Sequence, residues 1–204
     1  MVEQGSDEWK ALRLGKATAS RVADLCARTK TGWGASRANY AAQLVAERLT
    51  GNVAESYSNA AMEWGNATEA EARAVYSFFQ GVTVETIDFV PHPSIEMSGA
   101  SPDGYVGSDG LVEIKCPNTA THIDTLLGKS VPEKYILQMQ WQMACTARQW
   151  CDFVSYDPRM PENLRLFVKR VNRDDVLILD LEDKVREFLA DVHAKTVTLQ
   201  EMAA

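Results

Sequence analysis

The chain has 204 residues, 46% of them hydrophobic and 24% charged, with a net charge of −7. That composition suits a globular chain with a sizeable core and excludes a collagen, a coiled-coil array and a disulfide scaffold. No apolar run approaches the roughly 20 residues of a membrane span. The N-terminal stretch Met1–Trp9 lacks a basic-then-apolar leader, so a cytoplasmic location is expected.

The first 80 residues read as helical. Ser6 is placed to cap a helix running through Leu14, with Asp7 and Glu8 near its positive end. A short helix is expected over 18–28 and a mobile Gly-rich loop over Lys30–Ser36. A third helix follows, capped by Ser36, with Tyr40, Leu44, Val45 and Leu49 at helical spacing and Gly51 past its end. A fourth covers 60–80 and stops at Gly81.

The period then changes. Strands are expected at Val82–Val90, Ile95–Ala100, Tyr105–Val106 and Leu111–Cys116, with turns at Ser101–Gly104 and Ser108–Gly110. Helices follow over Thr121–Leu127 and Pro132–Arg148, then strands Trp150–Tyr156 and Leu164–Val171. An amphipathic helix over Asp174–Leu199 closes the chain. The order implies an α/β fold, a mixed sheet of about five strands flanked by helices. A single domain over 1–204 is expected, with a helical part at 6–80, a core at 82–171 and the last helix at 174–200.

Charge is unevenly spread. Between Trp9 and Ala46 lie Lys10, Arg13, Lys16, Arg21, Arg28, Lys30 and Arg37, against Asp24 alone. That block is +6, so the remainder is −13. Each cation singly suits a solvated helix face; together they suit a local anion-binding surface on an acidic body. Cys26, Cys116, Cys145 and Cys151 form no Cys-x-x-Cys pair and read as buried reduced thiols. His92, His122 and His193 are too scattered for a zinc site.

Two stretches carry the chemistry: Ser101-Pro102-Asp103-Gly104 and Leu111-Val112-Glu113-Ile114-Lys115-Cys116-Pro117. Residues two apart on a strand share a face, so Glu113 and Lys115 point one way and Val112, Ile114 and Cys116 the other. The intervening hairpin brings Asp103 alongside Glu113. Two carboxylates with a backbone carbonyl suit a hard divalent cation such as Mg²⁺. An adjacent ammonium can orient or help deprotonate an attacking water and offset phosphate charge. Read alone, the same residues also describe an exposed Glu–Lys pair with an Asp in a turn.

Asp-(x)n-Glu-x-Lys resembles the signature of the restriction-endonuclease-like nuclease superfamily. The surrounding residues are similar to the lambda-exonuclease family of viral recombination nucleases. The similarity takes in Val2-Glu3-Gln4-Gly5, Trp9 with Leu12-Arg13-Leu14-Gly15, Thr18-Ala19-Ser20, Trp64-Gly65 and Glu69. It continues through Tyr135, Gln138-Met139-Gln140 and Tyr156-Asp157-Pro158-Arg159-Met160. The resemblance implies a restriction-endonuclease-like core and a Mg²⁺-dependent, processive 5′-to-3′ exonuclease on linear double-stranded DNA. Such an enzyme releases 5′-mononucleotides and leaves a 3′ overhang for phage recombination. It further implies two Mg²⁺ ions per site with Mn²⁺ as a substitute, a ring-shaped homotrimer, and a phage single-strand annealing protein as partner.

By the same resemblance Asp103, Glu113 and the Ile114 carbonyl bind metal, Lys115 activates water, and Glu69 and Gln138 complete the catalytic set. Arg13, Ser20 and Ser101 hold the 5′-phosphate. Tyr135, Met62 and Trp9 are further DNA-contact candidates, Met62 as an apolar strand-separating wedge. The residues alone leave other readings open: a surface Glu69, a core amide at Gln138, a helix-face Arg13 and a core Trp9. A structure- or sequence-specific endonuclease of the same superfamily is the alternative enzyme, and a DNA-end-binding protein the non-enzymatic one.

Overall fold

A computed structural model of the chain describes residues 5–54 and 60–203, without the side chains of residues 60–62 and 66. Helix α1 (Asp7–Arg13) is capped by Ser6, whose hydroxyl accepts the Trp9 backbone N–H at 3.2 Å. Strand β1 (Ala17–Thr18), a 3₁₀ turn (Ala19–Arg21) and α2 (Val22–Cys26) follow. The helix expected over 18–28 is therefore shorter.

The loop expected at 30–36 is instead a hairpin of β2 (Arg28–Thr29) and β3 (Gly32–Trp33) running into α3 (Ala35–Thr50). The Trp33 ring explains the order: the Arg28 and Arg37 guanidiniums lie 4.0 and 3.8 Å from its centroid. Gly34, not Ser36, takes the N-cap position, while Gly51 ends the helix in the left-handed region, at φ 67°.

Helix α4 (Ala60–Gln80) leads to β4 (Val84–Glu85), β5 (Val90–Pro91), β6 (Ser98–Ala100), β7 (Gly104–Val106) and β8 (Gly110–Lys115). The single strand expected over 82–90 is split, because its two ends pair in different sheets: β4 with β7, β5 with β6. Next come α5 (Thr119–Gly128), α6 (Glu133–Thr146), β9 (Trp150–Tyr156), β10 (Leu166–Asn172) and α7 (Asp175–Met202).

The main sheet has the order β10-β9-β8-β7-β4. The β8–β9 pair is parallel and the others antiparallel, so the five-stranded sheet is mixed, as expected. A smaller sheet has the order β1-β6-β5, with β1 parallel to β6.

Alternation along β8 sorts its side chains between two layers. Val112 and Ile114 join Ala72 and Tyr76 of α4 in one cluster. Leu111 faces the opposite way, into a cluster with Met139 and Met143 of α6 and Phe153 of β9. Trp141 and Cys145 on the far side of α6 pack into a third cluster with residues of α2, α3 and α7. Helix α6 is thus covered all round, with residues 138–145 buried. Glu113 shares the α6-facing side of β8 with Leu111. Among the described residues no helix is long and apolar enough to cross a membrane.

Candidate active site

Strand β7 stops pairing at Gly104, opposite Val112, so β8 runs three residues past its neighbour. The Asp103 carboxylate takes up that edge: its Oδ2 accepts the Ile114 N–H at 2.6 Å. A strand residue sends its N–H and C=O to the same edge, so the Ile114 carbonyl leaves β8 on the Asp103 side. Gly104 is required here, since a Cβ would meet Val84 Cγ1 at 2.2 Å.

Glu113 is buried, and both its oxygens are held from α6. Gln138 Nε2 donates to Oε1 and Gln142 Nε2 to Oε2, each at 2.6 Å. Lys115 also donates to Oε1. The Lys115 ammonium sits 5.4 Å from the Tyr135 ring, which stacks on Phe153 at 5.5 Å. Glu69, from α4, pairs with Arg73 at 2.5 Å and lies close enough to feel the charges of Lys115 and Glu113.

This cluster holds more carboxylates than cations: Asp103, Glu113 and Glu69 against Lys115 and Arg73. Burial, and then repulsion from Glu113 and Glu69, hold the Asp103 carboxyl well above its ordinary range, with Lys115 opposing. Burial also raises Glu69, against the pull of Arg73 and Lys115. Burial acts against charge on Lys115, but Glu113 and Asp103 outweigh it and keep the ammonium protonated.

A hard divalent cation fits this surplus of negative charge and these oxygen donors. Among the described residues no three Asp, Glu, His or Cys side chains converge on one point; the oxygens this strand end offers are those of Asp103, Glu113 and the Ile114 carbonyl.

A second cluster begins two residues earlier. Arg13 Nη1 donates to Ser101 Oγ at 3.1 Å, and Nη2 to Thr18 Oγ1 and Ser20 Oγ, both at 3.2 Å. Trp9 lies one helical turn before Arg13. Its ring supports the guanidinium at 4.0 Å, and its Nε1 donates to Ser101 Oγ at 3.2 Å. The parallel pairing of Thr18 with Gly99 sets Thr18 and Ser20 beside Ser101. Burial brings Arg13 down to about 10, against Tyr40 and Glu47. Among the described residues no carboxylate lies within ion-pair distance of it.

Three of the five residues expected at the catalytic centre therefore meet directly: Glu113, Lys115 and Gln138. Asp103 is tied to the same strand through the Ile114 N–H, and both it and Glu69 join the group through electrostatics. Arg13, Ser20, Ser101 and Trp9 form the second cluster, which places Trp9 outside the core. The side chain of Met62 lies outside the described residues. Besides Arg73, two members of these clusters carried no role in the sequence reading. Gln142 follows Gln138 at i+4, the spacing that puts both amides on one helix face. Thr18 stands two residues before Ser20.

The basic block does not form one surface. Arg21 pairs with Asp24 at 2.5 Å, Lys10 with Asp7 at 3.0 Å, and the buried Arg37 with Glu187 at 3.2 Å. The cysteines are free thiols; Cys116, Cys145 and Cys151 are buried as expected, but Cys26, at the end of the short α2, is only half-buried. Burial pushes Cys116, next to Lys115, up to about 12. The buried His122 is satisfied between Ser155 Oγ and the Leu164 carbonyl, both at 2.8 Å.

A third charged group stands close by. Arg159 holds the buried Asp157 through Nε at 2.7 Å and Nη2 at 3.0 Å, and Thr119 Oγ1 donates to the same carboxylate at 2.7 Å. Burial disfavours that charge, but these bonds outweigh it and bring Asp157 down to about 2. Arg159 also donates to the Pro117 carbonyl at 3.2 Å and lies 4.5 Å from the Trp64 ring of α4.

A family model described as the YqaJ-like viral recombinase domain matches residues 8–149. Among solved structures, the chain is similar to an alkaline exonuclease, LHK-Exo, from Laribacter hongkongensis. Sequence identity is 50%, the match covers 97% of this chain and 98% of that one, and the TM-score is 0.90. The structure of LHK-Exo in complex with dAMP matches at 51% identity over the same shares, with a TM-score of 0.91. A phage-related exonuclease from Haemophilus somnus, 17% identical over 93% of this chain and 96% of its own, shares the fold with a TM-score of 0.71. No curated protein sequence matched.

Proposed function

The chain belongs to the family of YqaJ-like viral recombinase domains, and from that premise we propose that it is a Mg²⁺-dependent, processive 5′-to-3′ exonuclease. On this reading it acts on linear double-stranded DNA, releases 5′-mononucleotides and leaves a 3′ overhang for recombination by strand annealing. Supporting it are the 50% identity to an alkaline exonuclease and that relative's complex with dAMP.

The observation that carries the reading is the short segment joining the two clusters. Ser101 belongs to the Arg13 cluster, and Asp103 to the carboxylate cluster. Two extended residues span at most about 7 Å between their Cα atoms. A terminal phosphate held at Arg13 thus lies about one nucleotide from the carboxylates. An enzyme so built removes units of one nucleotide from an end.

Asp103, Glu113 and the Ile114 carbonyl would hold the cation, with Mn²⁺ able to replace Mg²⁺ and two ions per site. Bound there, the ion supplies Lewis-acid polarisation of the phosphodiester and a more acidic water. Lys115 enters the reaction as an ammonium. It donates to a phosphate oxygen or to the attacking water, and acts as a base only once the carboxylates cease to hold its proton. Gln138 fixes Glu113, and the Tyr135 ring flanks Lys115. Arg13, Thr18, Ser20 and Ser101 grip the terminal phosphate, a guanidinium fork with hydroxyls suiting a phosphate monoester. Trp9 backs the guanidinium.

The proposal includes a ring-shaped homotrimer, a phage single-strand annealing protein as partner, and the host cytoplasm as location. Incubation with closed-circular and linear duplexes, with Mg²⁺ or with a chelator, tests the reaction. Loss of the linear form alone, and only with Mg²⁺, is expected. Nicking of the circle would instead indicate an endonuclease.

A further inference from the structure

Helix α6 carries three buried glutamines, and they are not equivalent. Gln140 is bonded to backbone at both ends of its amide: its Nε2 donates to the Asn172 carbonyl at 2.8 Å and its Oε1 accepts the Asp174 N–H at 2.9 Å. Those bonds tie α6 to the end of β10 and the cap of α7, which is a structural task. Gln138 and Gln142 face the other way, and each gives its amide to one oxygen of Glu113.

Gln142 is the odd member. It is fully buried between Trp141 and Met143, yet its Oε1 has no hydrogen-bond partner among the described residues. A half-satisfied amide in an apolar layer costs free energy that a Leu or Met would not. Its donated bond alone accounts for its presence. The recipient, Glu113 Oε2, accepts from Gln142, while Oε1 is shared by Gln138 and Lys115. A carboxylate held at one oxygen still swings about its terminal torsion, whereas one held at both has its plane fixed.

We infer that Gln142 is a positioning residue: it locks the plane of the Glu113 carboxylate from within the core, and so sets how that carboxylate presents itself to a divalent cation and to Lys115. The inference rests on the metal-dependent reading above. Groups that orient a ligand from behind typically change metal affinity or activity by about 10–100-fold when removed. Gln142 touches neither substrate nor cation, so its effect falls on kcat and on metal affinity, not on the KM for DNA.

Gln142→Met keeps the length of the side chain and removes the donor. Mn²⁺ binding to the DNA-free protein, measured by calorimetry, should weaken about 10-fold or more. In turnover on linear duplex with saturating Mg²⁺, kcat should fall about 10–100-fold with KM for DNA within about twofold of wild type. A merely structural glutamine would lower the melting temperature and leave Mn²⁺ affinity and kcat per folded molecule unchanged. That result would overturn the inference while the wild type still bound Mn²⁺ and cut DNA. A wild type that bound no Mn²⁺ would overturn the functional reading along with it. If the variant does not fold, the wild type labelled with ¹⁵N-glutamine decides. The Gln142 side-chain amide resonance should shift on Mg²⁺ addition, and an unmoved resonance would overturn the inference.

Discussion

The two ends of the Ser101–Asp103 segment carry opposite imbalances of charge. At one end Arg13 is surrounded by hydroxyls and an indole, with no carboxylate in ion-pair range among the described residues. At the other, burial first, and then the crowding of Asp103 with Glu113 and Glu69 against Lys115 and Arg73, drives Asp103 toward its protonated form. The Asp157–Arg159 group differs from both, because its charges are matched. The lesson is that the fold neutralises charge where it holds itself together and leaves it unbalanced at the two places where the proposed function puts a ligand: an anion at Arg13, a cation at Asp103 and Glu113.

The largest expected effect lies at the carboxylate end. Lys115→Ala should lower kcat by roughly two to four orders of magnitude while leaving binding to DNA ends intact, as read by nucleotide release and by electrophoretic retention. Equal rates in variant and wild type would remove Lys115 from the chemistry. At the cationic end, 5′-phosphorylated duplexes should be degraded faster than 5′-hydroxyl ones by roughly ten- to a hundredfold, the worth of a charge-assisted hydrogen bond or two. Arg13→Ala should erase that preference. If the preference survives in the variant, Arg13 does not hold the phosphate.

The stability effects are smaller and differ in sign. Arg159→Ala leaves the Asp157 charge buried without its guanidinium and should cost about 2 kcal/mol, or roughly 4–8 °C in melting temperature. The Asp157 carboxyl is held at about 2, below the roughly 3.9 of an unfolded Asp. Its contribution is therefore complete above that ordinary value and is lost as pH falls. The gap between Arg159→Ala and wild type should narrow from about pH 4 toward pH 2. Asp103→Asn, by contrast, removes a carboxyl whose ionisation is disfavoured by burial and by its neighbours, yet retains an oxygen for the Ile114 N–H. It should stabilise the metal-free protein by about 1 kcal/mol, or roughly 2–4 °C. A melting temperature below wild type would mean that the carboxylates are not strained by one another.

The parts of this arrangement that could be read from sequence are those set by local geometry. The period of two along Leu111–Cys116 sends Glu113 and Lys115 to one side, and the turn at Ser101–Gly104 delivers Asp103 to the same strand end. What escaped is fixed by side-chain and strand contacts that no local period signals. Gln142 meets Glu113 across 29 positions, and only the docking of α6 on the sheet brings them together. Thr18 enters the Arg13 cluster because β1 pairs with β6, some 80 positions away. The 28–33 hairpin resembles a loop by composition, since its order comes from Arg37 on the following helix closing over Trp33. The basic block reads as one patch because its acidic partners Glu187 and Asp7 lie outside it.

The most direct test of the account uses a blunt linear duplex carrying a distinguishable label at each 5′ terminus, with and without the terminal phosphate, in the presence of Mg²⁺. The account predicts that each label appears first in a 5′-mononucleotide, sooner from the phosphorylated ends, while the 3′ strands persist as overhangs. Labels released in long fragments, or retained while the 3′ termini shorten, would contradict it.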